Sequence, residues 1–293
     1  MRDLFLTVFC ILISGIVISG QNFLPFEPVS PGGSMALAPA RFELELKPGM
    51  ETTVVVNLDF RTGSVSNQPV RIVASLNDWT MTRDGRIEYS KANSQPNSAS
   101  PWLIFTPGET SVMPGTVHPI RVTVSVPENA TPGDHLAALI IEQRPDHLKF
   151  ETNSRQMIVR YRLASVFYIK VPGLTRKGIV ENLYAESTGD GVVVTPTLKN
   201  EGNSVLRPVA ELKIVDDTGK VVAGVPENEV LPVLGGAAVA QPISIATALA
   251  PGRYTVKYRV DFRDGNKLTE GQTQLLVKPP IQIASDGKAT KKP

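Results

Sequence analysis

The chain has 293 residues, 42% of them hydrophobic and 20% charged, with 30 Lys and Arg against 28 Asp and Glu. This is length enough for two ordinary domains, and a net charge of +2 spread along the chain gives no nucleic-acid footprint. The one cysteine, Cys10, falls in a leader-like segment, so a processed chain would carry no thiol, excluding disulfides, thiolate metal sites and cysteine nucleophiles.

In chain order, Arg2 precedes an apolar run from Leu4 to Ile18, and the small residues Ser19 and Gly20 follow. This predicts a signal peptide over residues 1–20, because the run is shorter than the ~20 residues that span a bilayer. Export is expected, with no stable membrane insertion afterwards. Residues 21–34, with Pro25, Pro28, Pro31, Gly32 and Gly33, read as a disordered lead-in. Then Arg41-Phe-Glu-Leu-Glu-Leu-Lys47 alternates apolar and charged residues, the period of a half-buried strand. Further strands are expected at 52–60, 69–76, 85–89, 102–105, 117–126, 135–143 and 156–171. Arg83-Asp84-Gly85-Arg86 is a hairpin turn, since Asp-Gly readily adopts positive φ. Eight strands over 35–172 make one immunoglobulin-like sandwich.

Residues 173–178 break the pattern as a linker. Strands follow at 179–185, 191–199, 205–215, 221–223, 237–243, 252–261 and 268–277, with turn sequences such as Asp217-Thr-Gly219 and Asp264-Gly265-Asn266 between them. They predict a second immunoglobulin-like sandwich over 179–278, and 279–293 a disordered tail. The fold class is therefore all-β, with two immunoglobulin-like sandwiches in tandem.

The constellations of catalysis are missing. His118, His135 and His147 are the only histidines, and their spacing suits no zinc site. There is no Gly-x-Ser-x-Gly elbow and no phosphate-cradling glycine loop. Glu43, Glu45, Asp216 and Asp217 occupy alternating or turn positions, where solvated charges belong. A non-enzyme without cofactors is expected. Trp79 and Trp102 stand at strand ends, where large aromatics cover the end of a sandwich core.

Taken together, Ala38-Pro-Ala-Arg41-Phe, Asn77-Asp-Trp79, Ser98-Ala-Ser-Pro-Trp102, Met113-Pro-Gly115, Ile120-Arg-Val122, Val126-Pro127, Pro132-Gly-Asp134 and Val166-Phe-Tyr168 resemble, in their order, the periplasmic pilus-assembly (usher-pathway, PapD-like) chaperone family. The resemblance covers residues 36–172 by motif and 179–278 by architecture. It implies an ATP-independent periplasmic chaperone that lends an edge strand to pilin-like subunits lacking one, with an outer-membrane usher as a further partner. In that family two cleft cations hold the subunit's terminal carboxylate. Arg41 matches the first, and its planar guanidinium suits a carboxylate. Ser165 stands where the family places the second, a lysine, with Arg160, Arg162 or Lys170 as substitutes. Ile158, Arg160 and Arg162 share one face of the long strand 156–171, and with Arg41 and Ser165 they form the expected subunit-binding set. Whether that strand is lent or only packs a core stays open at this level. The alternative is a structural or adhesive immunoglobulin-like protein of the cell envelope, without chaperone activity.

Overall fold

The computed structural model describes residues 34–61, 69–144, 161–265 and 268–279. The predicted leader with Cys10, most of the lead-in and tail, His147, Ile158 and Arg160 lie outside the described residues. Within them the all-β expectation is borne out: the chain forms strands, with one 3-10 turn at Ser100–Trp102.

The first sandwich uses ten strands: β1 (Ser34–Ala38), β2 (Arg41–Glu45), β3 (Glu51–Arg61), β4 (Val70–Met81), β5 (Ile87–Lys91), β6 (Leu103–Thr106), β7 (Glu109–Val112), β8 (Thr116–Ser125), β9 (Gly133–Arg144) and β10 (Arg162–Val171). One sheet runs β1-β3-β8-β6, and the other β2-β10-β9-β4-β5 with β7 also on β4. The alternation read from sequence explains the core. Val56, Leu58 and Phe60 of β3 and Ile120, Val122 and Val124 of β8 meet Leu139 and Ile141 of β9 and Phe167, Ile169 and Val171 of β10.

The second sandwich has eight strands: β11 (Gly178–Thr188), β12 (Gly191–Asn200), β13 (Val209–Val215), β14 (Val221–Glu229), β15 (Ala238–Ala240), β16 (Ile243–Ile245), β17 (Gly252–Asp261) and β18 (Thr269–Val277). Its sheets are β11-β12-β15, with β16 also on β12, and β14-β13-β17-β18. Val194, Leu212, Ile214, Val256, Tyr258 and Val260 fill its core.

Several expectations need correction. Ser34 is in a strand rather than the lead-in: β1, which was not expected, precedes the opening strand and pairs with β3 in one sheet, whereas β2 pairs with β10 in the other, the chain crossing at Pro39, which has no N–H for a ladder. The strand expected at 205–215 begins only at Val209, because 205–207 is drawn into contact with the first sandwich. The strand expected at 237–243 is broken at Gln241-Pro242 into β15 and β16. Strand β7 was missed. Trp79 does not cover the end of the first core. It packs with Leu136, Ala138, Ile140 and Tyr168 against Val205 and Leu234 of the second sandwich.

That apolar cluster explains the near-continuous apolar run in β9, which is covered on both faces. Hydrogen bonds pin the same joint: the Val205 N–H donates to Asp134 Oδ2 at 2.7 Å, and Asn203 Nδ2 donates to the carbonyls of Pro132 and Gly173. The hairpin at Gly85 (φ +81) also belongs to it. A side chain there would collide with Leu231 of the second sandwich, and Arg83 pairs with Glu181 at 2.8 Å.

Asp78 holds the segment that extends this sheet. Its buried carboxylate accepts from the backbone N–H groups of Ser94 (2.7 Å) and Gln95 (2.8 Å) and the hydroxyls of Ser98 (2.6 Å) and Ser100 (2.5 Å). The following residues then bond β9 through Leu136, which donates to Asn97 O and accepts from Ala99 N. Burial pushes the Asp78 carboxyl upward, but its four donors outweigh that and hold it below the usual aspartate value. A carboxyl depressed in the folded state stabilises above its unfolded pKa, and the contribution is lost as pH falls through the folded one. Asp78→Ala, leaving four donors unmatched, should cost about 2–5 kcal/mol in urea unfolding at pH 7. The gap to the native chain should shrink as pH falls below about 4.

Candidate functional site

Strand β10 has two neighbours of unequal reach. β9 pairs with it antiparallel along its whole length, Arg162 opposite Glu142 and Val171 opposite Gly133. β2 pairs with it in parallel only over Val166–Lys170, with Arg41 opposite Val166 and Glu45 opposite Lys170. In an antiparallel ladder alternate residues turn both backbone groups to the same neighbour. Tyr161 accepts from Gln143 on the β9 side, whereas Val166 donates to Ala40 and Lys170 accepts from Leu46 on the β2 side. The even-numbered residues therefore address the β2 border. Beyond the start of β2, the backbone N–H and C=O of Arg162 and Ala164 face that border with no strand of the described residues hydrogen-bonded to them.

Side chains alternate across the same strand. Leu163, Ser165, Phe167, Ile169 and Val171 point to the first core, where Tyr161 and Leu163 are only partly buried. Arg162 is exposed on the opposite face, where Ala164 and Val166 edge the interdomain cluster.

Of the expected binding set, Arg41 stands at the covered end of the border, its side chain 53% exposed and its Nε 3.2 Å from Glu43 Oε1. Ser165 is fully buried and its hydroxyl donates to Pro39 O at 2.8 Å; it ties the sheet-crossing segment to β10 and turns nothing outward. Arg162 is four residues up the strand from Val166, roughly 13 Å along it, so Arg41 and Arg162 are not brought together. His118 and His135 serve local packing: His135 is buried, donates from Nε2 to Thr131 O at 2.9 Å and lies against Trp102.

Sequence reading undervalued Glu43, which is no solvated charge. Its carboxylate takes Lys170 Nζ at 2.7 Å on one oxygen, and Arg207 Nη2 at 2.6 Å with Arg41 Nε on the other. Burial raises the Glu43 pKa, but the Lys170 hydrogen bond and the charges of Arg207 and Lys170 outweigh it, and the net shift is downward. Arg207 comes from the second sandwich and also lies over the Tyr168 ring, 5.5 Å from its centroid, a cation–π contact. Tyr168 in turn meets Trp79 edge-on. No signal in the sequence marked Arg207, since a loop residue about 40 positions downstream meets β10 only through the tertiary fold. Arg207→Ala should free one sandwich from the other at this point. Expected is a loss of about 1–2 kcal/mol in thermal unfolding, with a change in the fluorescence of Trp79.

No protein-family model and no curated sequence matches the chain. Solved structures do. A chain from a chaperone–tip adhesin complex of CFA/I fimbriae biogenesis is 13% identical, with a TM-score of 0.43 over 85% of this chain and 100% of that one. The CupB2 chaperone of Pseudomonas aeruginosa is 14% identical, TM-score 0.37, over 82% of this chain and 100% of its own. A chain of the Salmonella enterica complex of SafA pilin with the SafB chaperone is 13% identical, TM-score 0.40, over 82% and 95%. These are likenesses of outline. Among the described residues no helix is long and apolar enough to cross a membrane.

Proposed function

We propose that this chain is an ATP-independent periplasmic chaperone that lends the border of β10 to pilin-like subunits whose own sandwich lacks a strand. The observation that carries this reading is the border at Arg162 and Ala164, where no strand of the described residues is paired. An incomplete sandwich exposes both unpaired backbone groups and an apolar groove, and a lent strand answers both at once. The backbone groups of Arg162 and Ala164 would supply the pairing, while Tyr161 and Leu163, half-buried at the rim of the core, would enter the groove. Arg41, at the foot of the same border, would receive a carboxylate at the subunit's chain end, its fork-shaped guanidinium suiting that geometry. The leader-like first residues fit an exported protein, and an outer-membrane usher would be the natural recipient of the loaded subunit.

One substitution separates lending from folding. Ala164→Pro removes an N–H that points away from β9, and proline is tolerated on a strand border whose N–H faces solvent. The variant should fold with a melting temperature close to the native one and lose at least tenfold in recovery of co-expressed strand-deficient subunits. Undiminished recovery with this variant would sink the strand-lending reading. Arg41→Ala, with the fold intact by circular dichroism, is expected to weaken recovery of subunits with a free chain-end carboxylate.

A further inference from the structure

An unpaired sheet border is a template for another strand, and folded chains blunt such borders with short strands, charges, proline or bulges. The strands at the ends of the four sheets follow that rule with one exception. In the first sandwich β1, β2 and β5 are five residues long and β6 is four, and β2 and β5 carry charges. In the second, β15 and β16 are three residues each. Strand β14 contains Pro226 and pairs with β13 through two register shifts, and β11 is bulged between Val180 and Asn182. Strand β18 has none of these devices. It runs nine residues and pairs with β17 in unbroken register, from Thr269 opposite Val260 to Val277 opposite Gly252. No strand of the described residues pairs its other border, and Gly271–Val277 is a stretch without charge or proline.

The exposed face of this strand carries its own complement. Glu270, Gln272, Gln274 and Leu276 turn to solvent, while Leu275 and Val277 enter the core. Leu276 is 57% exposed, and Lys278, also exposed, follows it in the alternation. Among the described residues neither Glu270 nor Lys278 has an ion pair. They stand at equal distances on either side of Gln274. When two copies pair antiparallel through β18 about a twofold axis at Gln274, Glu270 of each lies opposite Lys278 of the other. Gln272 then lies opposite Leu276, and Gln274 opposite its own copy. Opposite charges directly across a ladder favour the pairing, and like charges oppose it.

We propose that β18 is a self-association border, through which two copies of this chain join their β14-β13-β17-β18 sheets into one continuous sheet with Gln274 on the axis. A second copy is the occupant because the complement to Glu270 and Lys278 is present in the same strand, at the same spacing. The contact is isologous, so it closes at two copies and does not propagate into a fibre. A single ladder with an ion pair at each end belongs to the weak, concentration-dependent class of contacts. It uses the second sandwich and leaves the border of β10 to other partners.

The test uses the full exported chain, whose residues after Cys10 include no cysteine, so one introduced thiol reports the register. Sedimentation should show a monomer–dimer equilibrium that weakens roughly tenfold in Glu270→Lys and in Lys278→Glu and returns close to the native value in the double exchange. Both positions are exposed, and all three variants should melt close to the native chain. Gln274→Cys should cross-link to its copy under mild oxidation, since directly opposed side chains stand ~5 Å apart. Gln272→Cys should not, because it lies roughly 13 Å along the ladder from its twin, beyond disulfide reach. A native chain that stays monomeric at roughly 0.2 mM, where a contact of this class still populates a dimer, would overturn the proposal. Protection of the β18 amides from hydrogen exchange in such a monomer would give the border to the chain's own following residues instead. A dimer indifferent to the charge exchange, or one that cross-links at position 272 and not at 274, overturns it equally by showing another surface or register. Strand lending is tested separately: Ala164→Pro should leave the dimer intact, and Glu270→Lys should leave recovery of subunits intact.

Discussion

The site depends on how far five residues of β2 reach along β10. Had the opening segment stayed in one sheet, the border of β10 would be covered throughout or bare throughout. Because the chain spends Ser34–Ala38 on β3 and crosses at Pro39, only Arg41–Glu45 remain to pair with β10. The parallel register then starts at Val166, and the Ser165 hydroxyl fixes the crossing by holding Pro39 O. A buried serine that would otherwise be an unexplained interruption of an apolar face thus determines where coverage stops. Above it no strand of the described residues is paired with the border, and below it the same two strands bring Arg41 and Lys170 onto Glu43.

The second sandwich enters this arrangement through the outer face of β9 and β10. Trp79, Leu136, Ala138, Ile140 and Tyr168 would be a large exposed apolar patch if the first sandwich stood alone, and Val205 and Leu234 cover it. Coverage brings Arg207 over Tyr168 and onto Glu43. The joint therefore does more than keep two domains adjacent: it delivers one of the cations that hold Glu43. Asp134 and Asn203 fix the approach with hydrogen bonds to backbone, which are directional in a way that apolar contact is not.

Much of this was legible in the sequence, and the reasons for the rest are physical. The period-2 alternation in residues 41–47 and the β-branched runs of β3 and β8 gave strands because each buries one face. The run Leu136-Ala-Ala-Leu-Ile-Ile141 could be read as a strand, but not what covered its second face. Asn77-Asp-Trp79 stood out as a pattern, yet the roles of its residues were hidden, since Asp78 acts on a segment some 16–22 residues on and Trp79 on another domain. Arg41 was found because it opens a strand. Glu43 was passed over because an alternating carboxylate normally faces water, and only the parallel register with Tyr168 and the arrival of Arg207 make it otherwise. Pairings between strands distant in sequence carry no local signal, so the partition of a border into stretches that described strands pair and do not pair appears only in three dimensions.

A border with no strand of the described residues paired to it is a hazard on a stable sandwich if two copies can pair through it. The chain meets that hazard with Arg162. Arg162 projects from the outer face of β10 while Tyr161 and Leu163 take the face toward the core. Its charge therefore does not have to enter an apolar groove. Placed on the part of the border that no described strand pairs, an exposed arginine penalises pairing with a second copy, which would bring like charges together. Once the faces are resolved, Arg162 charges the border from the outer face and leaves the core-facing side of β10 apolar.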